Sequence, residues 1–145
     1  MENVHIRRLE LDDADEISRI YSAITQKSVE ADFKKLIEAH AVSTKDACFV
    51  AELEGKVVGF MISYILTLGF GIEQSAWIAT LGVNPKHMGQ GIGEGLAKKV
   101  FDYYKAEGIQ NVYTTVRWDS TDLLSFFKTL GFDRSNFVNL RKVLN

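Results

Sequence analysis

Glycines alternate in one short segment between a predicted strand and a predicted helix. The segment reads Val83-Asn84-Pro85-Lys86-His87-Met88-Gly89-Gln90-Gly91-Ile92-Gly93-Glu94-Gly95. Alternating glycines let the backbone turn tightly and bring successive N–H groups toward one point. The first turn of the following helix adds N–H groups without intrahelical acceptors and the positive end of the helix dipole. The spacing therefore predicts a binding site for a phosphate or diphosphate group.

Two common phosphate-binding loops do not fit this spacing. The dinucleotide pattern G-x-G-x-x-G, begun at Gly89 or Gly91, requires its third glycine where Glu94 or Leu96 stands. The nucleoside-triphosphatase loop requires a G-K-[ST] tripeptide, which the chain does not contain. A different kind of phosphate loop remains, and an apolar strand leads directly into it.

The elements that must position this loop follow an α/β order. Hydrophobic periodicity predicts helices after Asp12 or Asp13, over Val29–Ala41, from Ile92 to a stop at Gly108, and over Ser120–Leu130. The predicted strands are Val4–Leu9, Cys48–Leu53, Lys56–Tyr64, Trp77–Val83, Val112–Val116 and one or two within Phe132–Leu144. Glu54-Gly55 predicts a hairpin, and the glycine-rich Leu68–Ile72 predicts an apolar loop. The order predicts one α/β domain over residues 1–145 with a mixed sheet.

Composition excludes several classes of function. The 145 residues include 17 basic and 19 acidic side chains, without the basic excess that nucleic-acid binding requires. Cys48 is the single cysteine, so we expect no disulfide framework, and three scattered histidines leave no metal site. A lone cysteine fits a reducing cytoplasm, and the chain contains no apolar run long enough to cross a membrane.

With these residues in place, the chain resembles the GNAT (GCN5-related) N-acetyltransferase superfamily. That family carries V-x-P-x-x-R-G-x-G-I-G after its fourth strand, and Val83–Gly93 matches the valine, the proline and each glycine in register. Phe126–Phe132 is similar to the family's L-Y-x-x-x-G-F ending. The resemblance implies six to seven strands, splayed between the fourth and the fifth strand after Leu81 and near Thr115, with about four helices.

The resemblance also implies acetyl-CoA as the co-substrate and assigns residues to it. Backbone groups of Leu81, Gly82 and Val83 would contact the pantetheine arm and the thioester carbonyl. The diphosphate would lie against Met88, Gly89, Gln90, Gly91, Ile92, Gly93 and Glu94, and Ser120 stands where the family has a cofactor-binding asparagine. Met88 replaces the usual Arg or Gln, so we expect weaker binding that still occurs through backbone N–H groups.

The proton donor and acceptor of the family are replaced in this chain. Phe127 stands at the position of the tyrosine often proposed as general acid, and Thr115 stands where some members have a glutamate. We therefore expect Glu73 to act as the general base, with Tyr64 and Asp119 as weaker proton-handling candidates. Thiolate departure needs little help, because a free thiol has a pKa near ~8.5.

Three functional hypotheses follow. The first is an N-acetyltransferase whose acceptor is a protein α-amine, a lysine or a small amine that attacks the thioester directly in a ternary complex. The alternative is a non-catalytic or regulatory acyl-CoA-binding module, and a third is transfer of a longer acyl chain, suggested by Leu68–Ile72. That segment and the C-terminal strands could also pair two copies of the chain into a homodimer.

Overall fold

The computed structural model describes residues 3–26, 31–43, 45–67 and 74–145, and within the second helix it describes side chains from residue 33 onward. The strands are β1 (Val4–Arg8), β2 (Phe49–Leu53), β3 (Lys56–Thr67), β4 (Gln74–Val83) and β5 (Val112–Thr114). The helices are α1 (Ala14–Thr25), α2 (Ala31–Ala41), α3 (Ile92–Ala106) and α4 (Thr121–Thr129). Short 3₁₀ turns at Leu11–Asp13 and Pro85–His87 precede α1 and α3.

The strands form a mixed sheet in sequence order, β1-β2-β3-β4-β5. The first four strands pair antiparallel, and β5 pairs parallel to β4. The β2–β3 hairpin turns through Glu54 at φ 53° and Gly55 at φ 80°, which is the left-handed geometry that a tight two-residue hairpin requires. The predicted hairpin is therefore confirmed, and its position fixes the register of the central strands.

Helices cover the two faces of the sheet through alternate residues of β3. On one face, α1 and α2 pack over a core that includes Ile17, Ile37, Phe60 and Ile62. On the other face, Gly59 lies against Ile92 of α3, and the Ser63 hydroxyl lies 2.7 Å from the Tyr104 hydroxyl. Because side chains alternate along a strand, β3 packs against α1 and α2 on one face and against α3 on the other.

A buried polar group joins α3 to the sheet. The Tyr104 hydroxyl accepts a 3.0 Å hydrogen bond from the Ala47 N–H, and the Ser63 hydroxyl donates to the Ala47 carbonyl. Burial raises the pKa of the Tyr104 phenol above its ordinary value. The phenol therefore stays protonated and serves as a structural link between α3 and the strand pair β2–β3.

A second tie holds β1 to the start of α1. The Arg7 guanidinium donates two hydrogen bonds, of 2.9 and 2.8 Å, to the two carboxylate oxygens of Asp13. The same arginine lies 3.1 Å from a carboxylate oxygen of Glu52 on β2. Asp13 also accepts from the Glu10 N–H, so its carboxylate fixes the entry to α1 without capping that helix through its own side chain.

Two predictions about strands need correction. No strand forms in Phe132–Leu144, so the described sheet has five strands where six to seven were predicted. The segment is apolar enough for a strand, with Val138 and Leu140 more than four-fifths exposed, but a strand persists only where a neighbour completes its ladder. The fifth strand is also short, since it ends at Thr114 where Val116 was predicted.

The chain divides into two compact units, residues 1–115 and residues 116–145. The first unit contains the sheet with α1, α2 and α3. The second contains α4, where Phe127 is buried and packs edge-on against the rings of Phe126 and Phe132. The predicted loop at Leu68–Ile72 lies outside the described residues.

Candidate functional site

The glycine segment forms an ordered turn between β4 and α3. Asn84 starts it: its side-chain oxygen accepts from the Lys86 N–H at 3.0 Å, and its carbonyl accepts from the His87 N–H at 2.8 Å. Gly89 and Gly91 then adopt left-handed conformations, with φ of 79° and 78°. A non-glycine residue is disfavoured by about 1–2 kcal/mol in that conformation. Both glycines are therefore required by the backbone path, as the alternating pattern predicted.

The first turn of α3 presents backbone donors at the end of this loop. Gly91 occupies the N-cap position and provides no side-chain cap. The first bond of the helix runs from the Gly95 N–H to the Gly91 carbonyl at 3.0 Å, so the N–H groups of Ile92, Gly93 and Glu94 have no acceptor within the helix. These donors and the helix dipole together favour an anion such as a diphosphate.

A close approach between α3 and the sheet sets the position of those donors. Ile92 is 1% exposed, and a Cβ atom added to Gly59 would lie 3.0 Å from its Cγ2 atom and 3.3 Å from the Gly82 carbonyl oxygen. The start of α3 can therefore approach β3 this closely only because position 59 has no side chain. Sequence reasoning missed Gly59, although a glycine inside the apolar run Val57–Phe60 is the signal that could have indicated it.

The sheet opens immediately beside this loop. Strands β4 and β5 pair only over Ala76–Ile78 and Val112–Thr114, whereas β4 continues to Val83. The opening therefore begins after Ile78, three residues earlier than the predicted position after Leu81. Leu81, Gly82 and Val83 pair with β3 on one side, and within the described residues no strand pairs with their other side.

The register of β4 shifts at the start of the opening. Ile62 lies opposite Thr80 and Ser63 lies opposite Ile78, so Ala79 is the extra residue of a β-bulge. Ala79 is exposed, whereas Ile78 is buried. A bulge redirects backbone groups and increases local twist, which fits the place where β4 leaves β5. No residue type in the sequence indicated this bulge.

Gly82 is enclosed on the α1 face of the opening. An added Cβ atom would lie 2.8 Å from Ile24 Cδ1 and 2.9 Å from Phe60 Cε1. The end of α1 therefore covers β4 at the residue predicted to contact the pantetheine arm. The Asn84 N–H donates to the Val58 carbonyl at 2.8 Å, so by alternation along β4 the backbone groups of Gly82 face β3, and those of Leu81 and Val83 face the opening.

The three residues predicted to handle protons, Glu73, Asp119 and Tyr64, have different surroundings. Glu73 lies outside the described residues, so its role stays a prediction. Asp119 accepts two 2.9 Å hydrogen bonds from the Arg117 guanidinium, and this contact lowers the pKa of the carboxyl group below its ordinary value. A carboxylate held in this way binds a proton less readily, which argues against Asp119 as a base. Tyr64 is half-buried on β3 and pairs with Trp77.

The predicted cofactor residue Ser120 belongs to the second unit. It precedes α4, donates its N–H to the Arg117 carbonyl at 3.0 Å and accepts from the Leu124 N–H at 3.0 Å. Its side chain makes no capping hydrogen bond to the helix. Phe127 is 4% exposed among other aromatic rings of the unit, so this position contributes packing and no proton donor.

A separate depression lies at the other end of α3. It has a volume of about 510 Å³ and is lined by Phe101, Tyr104, Lys105 and Ile109, among others. The 15 residues of α3 span about 22 Å at 1.5 Å per residue. The depression is therefore remote from the glycine turn and does not form part of the candidate site.

Comparison with known proteins identifies the class of this domain. The model of the Acetyltransferase (GNAT) family matches residues 14–132. The chain belongs to this family. GNAT membership confirms the resemblance drawn from Val83–Gly93, and acetyl-CoA is the co-substrate of that family. A GNAT fold also accounts for the mixed sheet and the four described helices.

The sequence relatives match this chain over only part of their own length, and the similar solved structures share its fold at low sequence identity. Mycothiol acetyltransferase of Amycolatopsis mediterranei is 31% identical over 115 residues, which are 77% of this chain and 36% of that protein. This chain thus spans about a third of that relative. An aminoglycoside acetyltransferase from an uncultured soil metagenomic sample superposes with a TM-score of 0.79 at 23% identity, over 99% of this chain and 97% of the other.

One similar structure was solved with a coenzyme. The aminoglycoside N-acetyltransferase AAC(6')-Iy in complex with CoA has a TM-score of 0.82 at 15% identity, covering 97% of this chain and 94% of the other. At this identity the likeness shows a shared fold.

No helix among the described residues combines the length and the apolar character that a bilayer crossing demands.

Proposed function

We propose that this chain is an acetyl-CoA-dependent N-acetyltransferase that transfers an acetyl group to a primary amine by direct attack in a ternary complex. The main support for this proposal is the left-handed glycine turn at the start of α3, which lies directly beside a sheet that opens after Ile78. The turn supplies donors for a diphosphate, and the unpaired half of β4 supplies donors for an extended amide-containing arm. CoA contains both groups in one molecule.

The predicted contacts fit this ligand without a basic side chain. Met88 is 62% exposed and offers no hydrogen-bond donor from its side chain. The backbone N–H groups of Ile92, Gly93 and Glu94 precede the first bond of α3 and have no acceptor within the helix. We therefore propose that Met88, Gly89, Gln90, Gly91, Ile92, Gly93 and Glu94 hold the diphosphate mainly through the main chain, with Ser120 as a further contact.

The reaction requires management of one proton and one developing negative charge. The amine nitrogen forms a bond to the thioester carbonyl carbon, the carbon–sulfur bond breaks, and the departing thiolate takes up the proton that the bonded nitrogen loses. Backbone N–H groups of Leu81 and Val83, which face away from β3, stabilise the charge on the carbonyl oxygen. Glu73 accepts the proton of the attacking ammonium group, and water supplies the path where no side chain reaches.

Binding and transfer are tested separately. Isothermal calorimetry with CoA and acetyl-CoA measures binding, and release of free thiol in the presence of propylamine, a lysine peptide or a peptide with a free N-terminus measures transfer. We expect micromolar binding and thiol release that depends on an amine. Absence of CoA binding by the folded chain would refute the proposal, and Glu73→Gln tests the base through the pH profile of kcat/KM.

The burial of Phe127 among aromatic rings favours one alternative. A domain without a general acid at this position could bind acyl-CoA and regulate a partner without transferring the acyl group. In that case calorimetry shows CoA binding, and no amine in the panel releases thiol above the rate of hydrolysis. Tighter binding of a long-chain acyl-CoA than of acetyl-CoA would instead favour transfer of a longer acyl chain.

We also propose the extent of the domain, its location and its oligomeric state. The match over residues 14–132 supports one GNAT domain across residues 1–145, and the lone cysteine supports a cytoplasmic location. The exposed apolar side chains Val138, Leu140 and Leu144 support a homodimer. Light scattering at several concentrations tests the dimer, and a monomer at all of them would contradict it.

A further inference from the structure

Three aromatic residues form a row across the sheet beside its opening. Tyr64 on β3 lies opposite Trp77 on β4, and Trp77 lies beside Tyr113 on β5. The rings of Trp77 and Tyr113 stack with centroids 4.9 Å apart at an angle of 24°. All three side chains are partly exposed, so the row is a surface and does not belong to the closed core. We refer to Tyr64, Trp77 and Tyr113 as the aromatic row.

The aromatic row lies on the face opposite α3. Tyr64 follows Phe60 and Ile62 at alternate positions of β3, and its ring centroid lies 6.5 Å from that of His40 in α2. Cross-strand partners point to the same side of a sheet. The row is therefore on the α1 and α2 face, whereas the glycine turn leads into α3 on the other face.

The row is also next to the opening. Trp77 precedes Ile78, the last residue of β4 that pairs with β5. At about 3.3 Å per residue, the row lies within roughly 10 Å of the bulge at Ala79. A molecule that approaches the opening from the α1 and α2 face would thus contact these rings.

The row offers ring surface and little charge. The indole N–H of Trp77 is used internally, because it donates to the Ser75 hydroxyl at 3.1 Å. Asp46 lies 3.8 Å from His40 Nδ1, and its oxygens already accept from the Ile65 N–H and the Ser43 hydroxyl. No three acidic or histidine side chains in the described part of the chain converge on one point. A polycationic acceptor would require several such carboxylates.

We propose that the aromatic row binds the apolar part of the acceptor, and that the acceptor is a monoamine carrying an aromatic or similar apolar group. This inference rests on the proposed function, because it assigns the acceptor of the same transfer. Aromatic rings contribute through stacking and through contact with an ammonium group before deprotonation. The apolar group has two sources, a free arylalkylamine or the first residue of a peptide.

Initial rates with matched amines test the inference on the unaltered chain. The panel contains 2-phenylethylamine and propylamine, a peptide beginning with Phe and one beginning with Ala, and spermidine as a polycation. We expect KM about tenfold lower for the aromatic member of the pair whose source is correct. Equal KM values within both pairs, or lower KM for spermidine, would overturn the inference.

Fluorescence provides a second readout that does not depend on turnover. The chain has two tryptophans, and Trp118 is 86% exposed in the second unit. In a Trp118→Phe background, Trp77 is the remaining indole, so its emission reports on the row. With CoA present, we expect a saturable change in emission on addition of 2-phenylethylamine and none with propylamine. Contact with Trp77 would be contradicted if the emission did not change at 2-phenylethylamine concentrations that saturate the enzyme in the rate assay.

Variants of Trp77 separate recognition from folding. Trp77→Ala is expected to raise KM for 2-phenylethylamine about tenfold more than it raises KM for propylamine, whereas Trp77→Phe retains most of the preference. A parallel rise in both KM values would refute selective recognition. If the folded chain binds no CoA, the proposed function fails and this inference with it. CoA binding and transfer without aromatic preference would overturn only the row.

Discussion

Replacing Gly59 with alanine tests whether packing of α3 on the sheet sets the diphosphate site. The new methyl group would lie 3.0 Å from Ile92 Cγ2, 3.3 Å from the Gly82 carbonyl oxygen and 3.4 Å from Leu96 Cδ1. The backbone oxygen cannot rotate away, and Ile92 is closely packed at 1% exposure. We therefore expect the first turn of α3 to shift away from β3 by a few tenths of an ångström.

The expected free energies follow from burial and contact. Overpacking costs about 1–3 kcal/mol, and replacing glycine within a strand returns about 0.5–1 kcal/mol, so Gly59→Ala should lower the free energy of unfolding by about 0.5–2 kcal/mol. Ile92→Ala should cost about 2–5 kcal/mol, because it opens a cavity at a buried position. In the double variant Cγ2 is absent and the added methyl occupies part of the cavity. The cost of the double variant should therefore fall short of the sum of the two single costs by at least about 1 kcal/mol.

Urea unfolding monitored by circular dichroism measures the stabilities, and calorimetry measures CoA affinity. We expect Gly59→Ala to weaken CoA binding about threefold to tenfold, because displaced N–H groups lose hydrogen-bond geometry. Gly108→Ala is the matched control: it has φ of 81°, no neighbour within 4 Å and a position after the C-terminal end of α3. It should cost about 1–2 kcal/mol of stability without changing affinity. Strict additivity, or full CoA affinity in Gly59→Ala, would refute the reasoning.

Three other predictions concern single sites. Tyr104→Phe leaves the buried Ala47 N–H without its acceptor, so urea unfolding should show a loss of about 1–3 kcal/mol; a loss below 0.5 kcal/mol, on the order of an ordinary surface change, would contradict this. Burial raises the pKa of the Cys48 thiol above its ordinary value, to about 11. Native Cys48 should therefore resist iodoacetamide at pH 8 that labels the unfolded chain, and stability should fall as pH rises from about 9 toward about 11, because the unfolded thiol ionises first. Gly91→Ala forces a side chain into φ of 78° and should weaken CoA binding about tenfold, which calorimetry would disprove by finding wild-type affinity.

The order of elements could be predicted because periodicity and turn residues agree along most of the chain. Ile17 and Ile20 mark the buried face of α1, Glu54-Gly55 forces the hairpin, and Gly108 follows α3 with φ of 81°. The last segment failed for a physical reason. Residues Phe132–Leu144 have strand-forming composition, but a strand depends on a partner that no local pattern specifies.

Part of the candidate site could likewise be predicted from local sequence, and part could not. The glycine turn was predicted, because left-handed glycines before a helix are encoded in the local sequence. The bulge at Ala79 and the early end of β4–β5 pairing could not be predicted, since both depend on the register between separate strands. Trp77 and Tyr64 show the same limit: each is an ordinary core residue by type, and only the pairing of β3, β4 and β5 places them together beside the opening.

A site built from the main chain is compatible with the low identity, 15–23%, of solved structures that share this fold. Such a site requires a backbone path, which Gly89 and Gly91 provide, and a fixed distance between α3 and β3, which Gly59 and Ile92 provide. It does not require a particular side chain at Met88, so we expect the missing arginine or glutamine to weaken one contact and to leave the other donors in place. Acceptor selection has no equivalent main-chain basis. We propose that in this chain it depends on the side chains of the aromatic row.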